Sequence, residues 1–198
     1  MSKFEIVTDL NTILELESEQ EGLFNQRESS CMGKKLVVKN KLIMKKESVW
    51  DYPRPPRLES CSKEIEIIFG SIIAKTNSSY RVLETSHPPT FYLPRSAFKD
   101  GVLIPIHRKT HCEWKGEAEY YDIKSTDGRI SNNGAWSYNS PSDDFIKIKG
   151  YIAIYPNSVD SCLLDNEEVK SQEGDFYGGW ITSDIIGPFK GGAGSYGW

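Results

Sequence analysis

The hydrophobic pattern of the chain changes character near residue 36. Before that point, apolar side chains recur every three or four residues, which is the spacing of one face of an α-helix. The positions that form this stripe are Phe4, Val7, Leu10 and Leu14. We therefore expect one amphipathic N-terminal helix of about three turns, followed by a polar linker over residues 15–30.

Beyond residue 36 the pattern becomes a series of short apolar or alternating runs, which is typical of β-strands. The runs cover residues 36–44, 64–73, 80–84, 117–124, 129–130, 135–138, 145–149, 151–155 and 161–164. Asp127-Gly128 and Asn133-Gly134 are dipeptides that favour tight turns between strands. Short strands at this regular spacing predict an all-β domain, built as a curled antiparallel sheet or as a small barrel.

Two flanking segments differ in composition from the strand-rich region. Residues 49–56 contain three prolines, which restrict the backbone and predict an extended segment. Residues 174–198 hold half of the 16 glycines and six aromatic side chains. Because each large apolar side chain left in water forfeits about 1.5–3 kcal/mol, we expect this tail to pack irregularly on the domain. The predicted organisation is a helix and linker over residues 1–35, a β domain over residues 36–173, and the tail.

Charge and apolar content limit the classes of partner. The 198 residues include 28 acidic and 24 basic side chains, giving a formal net charge of −4, whereas nucleic-acid-binding domains usually carry a basic surface. We expect no nucleic-acid partner. The N-terminus lacks the features of a signal peptide, and no apolar run approaches the roughly 20 residues that span a bilayer. These features predict a cytoplasmic protein with no membrane partner, and they leave the oligomeric state open.

Four cysteines stand far apart in the sequence, at Cys31, Cys61, Cys112 and Cys162. Structural zinc sites usually draw on closely spaced cysteine pairs, and intracellular thiols are normally kept reduced. We therefore expect no metal site and no disulfide. The residues do not identify a cofactor.

Titratable side chains gather around the end of the run 80–84. Glu84 ends this run, directly before residues 85–89, which we predict to form a turn. A carboxylate at a strand end can act as a general base in a pocket, or it can cap the turn. His87 precedes two prolines, and its restricted backbone suits either a positioned acid–base group or a histidine bonded to the loop backbone.

A second concentration of functional groups lies in residues 110–116. Cys112 is a candidate nucleophile with His87 or His111 as its activating base, or else an inert buried thiol. In a regular strand, the side chains of His111 and Cys112 point to opposite faces. Only His87, brought near through the fold, could then pair with Cys112.

Lys115 follows Trp114 and precedes Gly116. A lysine beside an aromatic ring and a flexible glycine suits anion or carbonyl recognition, with a snorkelling surface lysine, whose stem lies on apolar surface while its ammonium stays in water, as the alternative. We expect Glu84, Cys112 and Lys115 to surround one shared cavity, because strand ends and breaks present side chains to ligands. This arrangement requires a bend near Trp114.

Aromatic side chains are more numerous than one small core usually requires, which is typical of the walls of small-molecule pockets. Arg54 stands between prolines, and this fixed position suits contact with a carboxylate or phosphate. The predicted catalytic residues are Glu84, His87 and Cys112. The predicted ligand-binding residues are Arg54, Tyr92, Trp114, Lys115, Trp136 and Tyr138.

The chain resembles the DUF427 family in four separated motifs that occur in the right order. The motifs are VLETSHPPTFYLP at residues 82–94, THCEWKG at 110–116, WSY at 136–138 and GYIAIYP at 150–156. The departures are small: Glu113 stands where proline is common, and Ile154 where phenylalanine is common. The resemblance covers about residues 64–168, and both flanks resemble those of longer members with extensions at each end.

The resemblance implies an all-β domain similar to the tent-like folded sheets of several small-molecule- and zinc-binding proteins. It does not imply zinc here, because the paired cysteines are missing. One family label refers to nucleotidyltransferases, but the sequence has neither a G-K-[ST] phosphate loop nor a close pair of aspartates in a strand for Mg²⁺. The family implies no settled reaction.

Two classes of function are consistent with these observations. The first is an aromatic-lined pocket that binds a small anionic metabolite, with acid/base chemistry on that ligand as an extension. In it, Glu84 is the acid or base, and Lys115 and Arg54 hold the anionic group. The second is a non-enzymatic interaction module that presents the tail and the proline-rich segment to a partner protein.

Overall fold

The structure is a computed structural model that describes residues 46–174, 176–195 and 198. These residues belong to one compact unit, Met44–Trp198. The predicted N-terminal helix, the predicted strand over residues 36–44 and Cys31 lie outside the described residues.

Strands predominate in the described residues, and the all-β prediction is confirmed. The strands are β1 (Glu47–Ser48), β2 (Arg57–Cys61), β3 (Ile65–Phe69), β4 (Ser71–Thr76), β5 (Ser79–Glu84), β6 (His87–Tyr92), β7 (Leu103–Cys112), β8 (Gly116–Lys124), β9 (Ile130–Ser137), β10 (Ile152–Ile154), β11 (Ser161–Leu164), β12 (Glu167–Glu168), β13 (Lys170–Ser171), β14 (Trp180–Ile181) and β15 (Ile185–Ile186). Short 3₁₀ helices cover Val49–Asp51, Arg95–Ala97, Asp143–Ile148 and Pro156–Ser158.

Three antiparallel sheets carry most of the fold, in the strand orders β10-β9-β8-β7, β12-β11-β3-β4 and β2-β5-β6. None of the sheets formed by these residues closes into a barrel. Backbone hydrogen bonds of 2.8 Å in both directions between Leu93 and Ile152 link the end of β6 to β10. Two short pairs complete the pattern: β13 with β14, and β1 parallel to β15.

The hydrophobic core falls into clusters that join these sheets. The largest brings together buried residues of β3, β4, β9 and β10, and includes Trp180 from the tail. The Trp180 indole is fully buried, packs against Phe91 and donates a 3.3 Å hydrogen bond to the Ile154 carbonyl. A second cluster is rich in aromatic rings and includes Tyr92, Trp136 and Tyr138.

Local backbone conformation corrects two of the strand and turn predictions. Residues 64–73 do not form one strand: Gly70 has φ +77° and reverses the chain between β3 and β4. Asn133-Gly134 is not a turn between strands but lies inside β9. There Asn133 has φ +54°, its N–H donates to Asp122, and the register with β8 shifts nearby.

Two further segments differ from their predicted form. Residues 145–149 are not a strand, because they lie mainly in the 3₁₀ helix Asp143–Ile148, which buries Phe145 and Ile148. The segment 49–56 is not extended throughout, since it starts with the 3₁₀ helix Val49–Asp51. The N-terminus of this 3₁₀ helix is capped by the Ser48 side chain, which accepts a hydrogen bond from the Trp50 N–H.

Candidate functional site

A cavity of about 420 Å³ lies between the β5–β6 hairpin, the β7–β8 hairpin and the C-terminal tail. Its volume is in the range of small-molecule sites. Its lining includes all nine residues that the sequence singled out: Arg54, Glu84, His87, Tyr92, Cys112, Trp114, Lys115, Trp136 and Tyr138. The structure therefore brings these side chains together, while their roles stay predictions.

The tip of the β7–β8 hairpin carries three of these side chains. Cys112 pairs with Gly116 across the two strands, so the intervening residues form the turn and Trp114 lies at its centre. Gly116 has φ +93°, which a glycine adopts with little strain. The expected bend near Trp114 is thus a hairpin turn, and it aims Cys112 and Lys115 into the same cavity.

Lys115 is buried as a residue, with only 8% of its surface exposed, while its ammonium group reaches the cavity. Its Nζ lies 5.6 Å from the centroid of the Phe145 ring and 5.9 Å from that of Tyr138. No carboxylate of the described residues lies within 4.0 Å of this ammonium group. The stem of Lys115 is therefore buried while its ammonium group opens onto the cavity, and the two aromatic faces stabilise its charge.

Arg54 joins the two hairpins by ion pairs. Its guanidinium lies 3.4 Å from Glu84 Oε1 and 3.0 Å from Glu113 Oε1. It also lies over the Trp114 ring, 5.9 Å from the centroid. Arg54 is therefore occupied by two carboxylates of the protein itself, one at the end of β5 and one at the tip of the β7–β8 hairpin.

The turn before His87 is shorter than the predicted turn over residues 85–89. Thr85 and Ser86 form it, Ser86 has φ +69°, and β6 already begins at His87. The imidazole Nδ1 lies 2.9 Å from the Thr85 carbonyl oxygen. Because a carbonyl can only accept a hydrogen bond, Nδ1 carries the proton and Nε2 is left as an acceptor.

Burial lowers the pKa of His87 below its ordinary value of 6.5. The Thr85 carbonyl and the charge of Glu84 oppose this shift, while Lys190 and Arg54 reinforce it. The imidazole is therefore neutral at pH 7. A neutral imidazole with a free Nε2 is able to accept a proton from a ligand.

Aromatic side chains form the far wall of the cavity. The ring centroids of Tyr92 and Tyr138 are 6.2 Å apart, and those of Trp136 and Tyr155 are 4.4 Å apart. Burial raises the pKa of Tyr92, Tyr138 and Tyr155 well above the ordinary value. All three phenols are thus neutral and keep their O–H groups.

The thiol of Cys112 is free and partly buried. His111 is exposed on the neighbouring position of β7, although both residues border the cavity. Alternation along the strand separates their side chains, so the geometry of β7 offers no direct pairing between them.

Part of the cavity wall escaped the sequence-based predictions because it comes from the C-terminal tail. Tyr177 contacts the His87 ring edge-to-face, with centroids 4.9 Å apart. The Lys190 N–H donates to the Ser86 carbonyl, and the Gln172 side chain donates to the Lys190 carbonyl over 2.7 Å. The sequence around Lys190 is FKGG, which resembles a phosphate-binding loop only superficially, because no strand-to-helix turn surrounds it.

The described residues contain no group of three or more His, Cys, Asp or Glu side chains arranged to hold a metal ion. Asp143 and Asp144 lie in a 3₁₀ helix rather than in a strand. None of the described helices has the length and apolar character needed to traverse a lipid bilayer.

Comparison with known proteins places the chain in a family without an assigned activity. No curated protein matches the chain. A family model described as a domain of unknown function, DUF427, matches residues 57–165. This match covers more than half of the 198 residues and starts and ends inside the strand-rich region that builds most of the cavity. The chain therefore belongs to the DUF427 family.

Proposed function

We propose that the cavity binds a small organic anion and that Lys115 neutralises its charge. The observation that carries this proposal is the Lys115 ammonium group, which opens onto the cavity from an otherwise buried side chain and has no carboxylate partner within 4.0 Å in the described part of the chain. A charge that is partly withdrawn from water interacts more strongly with an opposite charge than a fully hydrated one does. A ligand that brings a negative charge therefore forms a favourable ion pair with Lys115 on binding.

The position of Arg54 changes the role that we first assigned to it. With Glu84 and Glu113 already on its guanidinium, Arg54 has no free charge for a ligand. We assign it instead to holding Glu84 and the hairpin tip in place at the cavity rim. The anion-binding role rests on Lys115.

Acid/base chemistry on the bound anion is the second part of the proposal, and His87 is the better proton acceptor. Its Nδ1 donates to the Thr85 carbonyl, and its Nε2 has no hydrogen-bond partner among the described residues. Glu84 is held by Arg54 at 3.4 Å. We therefore assign proton transfer to His87, and we assign to the Glu84 carboxylate the role of a fixed negative charge beside the imidazole.

The interaction-module alternative has one supporting observation. The rings of Trp50 and Trp198 are both partly exposed and pack edge-to-face at 5.3 Å. A partner protein captured by the wild type and by Lys115→Met, but lost when Trp50 and Trp198 are both replaced by alanine, would favour this alternative.

The test of the anion-binding proposal is a thermal-shift screen of organic acids and phosphate esters, followed by calorimetric titration of each hit. ATP with Mg²⁺ belongs in the same screen, because one family label refers to nucleotidyltransferases. A hydrogen bond to a charged group contributes about 1.5–3 kcal/mol, so Lys115→Met should weaken a true ligand about ten- to a hundredfold. Lys109→Met is the matched control, since Lys109 is exposed and pairs with Glu117 on the other side of the hairpin.

The stability of Lys115→Met separates a ligand-binding role of Lys115 from a structural one. If Lys115 serves ligand binding, replacing its unpaired charge by an apolar side chain of similar length should leave the free energy of unfolding unchanged or higher. An anion that binds Lys115→Met as tightly as the wild type would contradict the proposal. A screen in which no anion binds the wild type would contradict it as well.

A further inference from the structure

The imidazole of His87 presents a hydrogen-bond acceptor to the cavity. His87 lines the cavity, and its Nδ1 donates to the Thr85 carbonyl over 2.9 Å. A neutral imidazole has one donor nitrogen and one acceptor nitrogen, so Nε2 is the acceptor. Among the described residues, no group donates a hydrogen bond to Nε2. A ligand that bonds to this nitrogen must therefore bring a donor.

The turn that fixes this tautomer is held by two other segments of the chain. The Thr85 hydroxyl donates to the Tyr52 carbonyl over 2.5 Å, and the Ser86 N–H donates to the Val49 carbonyl over 3.0 Å. From the tail, the Lys190 N–H donates to the Ser86 carbonyl over 2.8 Å. Ser86 itself has φ +69°, which is uncommon for a residue other than glycine. These contacts keep the Thr85 carbonyl beside the imidazole, so the fold itself makes Nε2 an acceptor.

A second acceptor lies beside the imidazole. Glu84 pairs with His87 across β5 and β6, and both residues line the cavity. An ionised carboxylate can only accept hydrogen bonds. The Tyr177 ring meets the imidazole edge-to-face at 4.9 Å and limits its rotation. This end of the cavity is thus complementary to a donor group, whereas the Lys115 ammonium at the β7–β8 hairpin can only donate.

The charges around the imidazole favour a neutral donor over a cationic one. The carboxylates of Glu84 and Glu113 are balanced by two cations, Arg54 and Lys190, and all four residues line the cavity. The Lys190 ammonium already donates to the backbone oxygen of Trp198. An ammonium group on a ligand would meet as many positive as negative charges here and would gain no net attraction. A hydroxyl group donates its hydrogen without bringing a charge.

We infer that the cavity binds a hydroxy acid: an anion held by Lys115 that also carries a hydroxyl group, which donates its hydrogen to His87 Nε2. This inference rests on the proposed function and names the chemical class of its ligand. Water can occupy the same position in the free protein, so the hydroxyl contributes only the difference between two hydrogen bonds. That difference corresponds to about two- to tenfold in affinity.

Benzoate and its hydroxyl derivatives test the inference. The meta- and para-hydroxybenzoates keep the carboxylate and place the hydroxyl at two different distances from it. The matching methoxybenzoates keep the oxygen but have no hydrogen to donate. Calorimetric titration of the wild-type protein should give at least one hydroxybenzoate an affinity about two- to tenfold above that of benzoate. Neither methoxybenzoate should show this gain.

The variant His87→Phe isolates the acceptor, because it keeps a ring against Tyr177 and removes both nitrogens. The preference for a hydroxybenzoate over benzoate should disappear in this variant, while benzoate itself should bind nearly as well as before. His107→Phe is the matched control, since His107 is exposed on β7 and lies outside the cavity lining. This control should keep the preference.

A pH titration of the wild type tests the same contact without a variant. Protonation turns Nε2 into a donor, so the preference for a hydroxybenzoate should fall as His87 becomes protonated. Nitrogen NMR of the imidazole follows that protonation directly and separates it from the charges of Glu84, Arg54 and Lys190, which face the ring. In the neutral imidazole, the same spectrum should show the proton on Nδ1.

The outcomes distinguish this inference from the proposed function. If benzoate binding depends on Lys115 but neither hydroxybenzoate binds more tightly, the role of His87 Nε2 is wrong while anion binding stands. A preference that persists in His87→Phe, or a neutral imidazole with its proton on Nε2, would contradict the inference as well. If none of these acids binds the wild type, the inference is wrong, and the proposed function is wrong too if the wider screen of anions also fails.

Discussion

Gly178 is the point of closest approach between the tail and the cavity wall. A Cβ atom at this position would lie 2.2 Å from Cη2 and 2.9 Å from Cζ3 of the Trp136 indole. The indole has little room to move, because it is buried and packs on Tyr155. Gly178→Ala therefore forces either the tail or the indole out of position.

The cost of this substitution follows from the overlap. Inserting a methyl group into a well-packed site costs about 1–3 kcal/mol. For a domain of this size, each kcal/mol corresponds to about 2–4 °C in the melting temperature. Urea unfolding followed by circular dichroism should show the loss directly. Because Trp136 borders the cavity, ligand affinity should fall in parallel.

Gly192→Ala provides the matched control in the same tail. A Cβ at Gly192 would meet only the carboxylate end of the Glu173 side chain, at 2.7 Å from Oε2. That flexible end can move away, so we expect a change within about 0.5 kcal/mol. If Gly178→Ala proves as stable as Gly192→Ala, the tail does not pack on Trp136 and the cavity lacks this wall.

Two further predictions concern the pH dependence and the anchoring of the tail. Because burial lowers the pKa of His87 below 6.5, the unfolded chain binds this proton more readily, and the free energy of unfolding should rise with pH across the interval from the lowered value up to about 6.5. His87→Gln should remove that rise in urea titrations, and an unchanged slope would contradict the assignment. Trp180→Ala should cost about 3–5 kcal/mol, whereas Phe176→Ala, at a side chain that is 61% exposed, should change stability by less than about 0.5 kcal/mol. Equal losses would mean that Trp180 does not anchor the tail.

The grouping of several of the nine site residues could be anticipated from the sequence, because they lie at strand ends and turns that the sequence indicates. Glu84 ends a strand, and Lys115 lies at a hairpin tip. Such positions direct side chains away from the regular sheet and towards open space. Pattern and resemblance therefore indicated residues that the structure brings together, although they did not reveal how deeply Lys115 lies, which depends on Phe145 packing from a distant 3₁₀ helix.

Long-range contacts account for what the sequence could not show. Tyr177 reaches His87 across 90 residues, and Arg54 reaches Glu113 across 59. Nothing in local spacing predicts such pairs, because they depend on how the tail and the proline-rich segment return to the sheet. The assignment of Asn133-Gly134 as a turn failed for a similar reason: the Asp122 side chain holds the Asn133 backbone inside β9 as a bulge.

The position of a bound acid tests the central claim most directly. We expect a crystal structure of the protein with saturating benzoate to place the ligand between the β5–β6 hairpin, the β7–β8 hairpin and the tail, with one carboxylate oxygen about 2.7–3.2 Å from Lys115 Nζ. Benzoate bound elsewhere on the protein, or bound in the cavity with its carboxylate directed away from Lys115, would contradict the account.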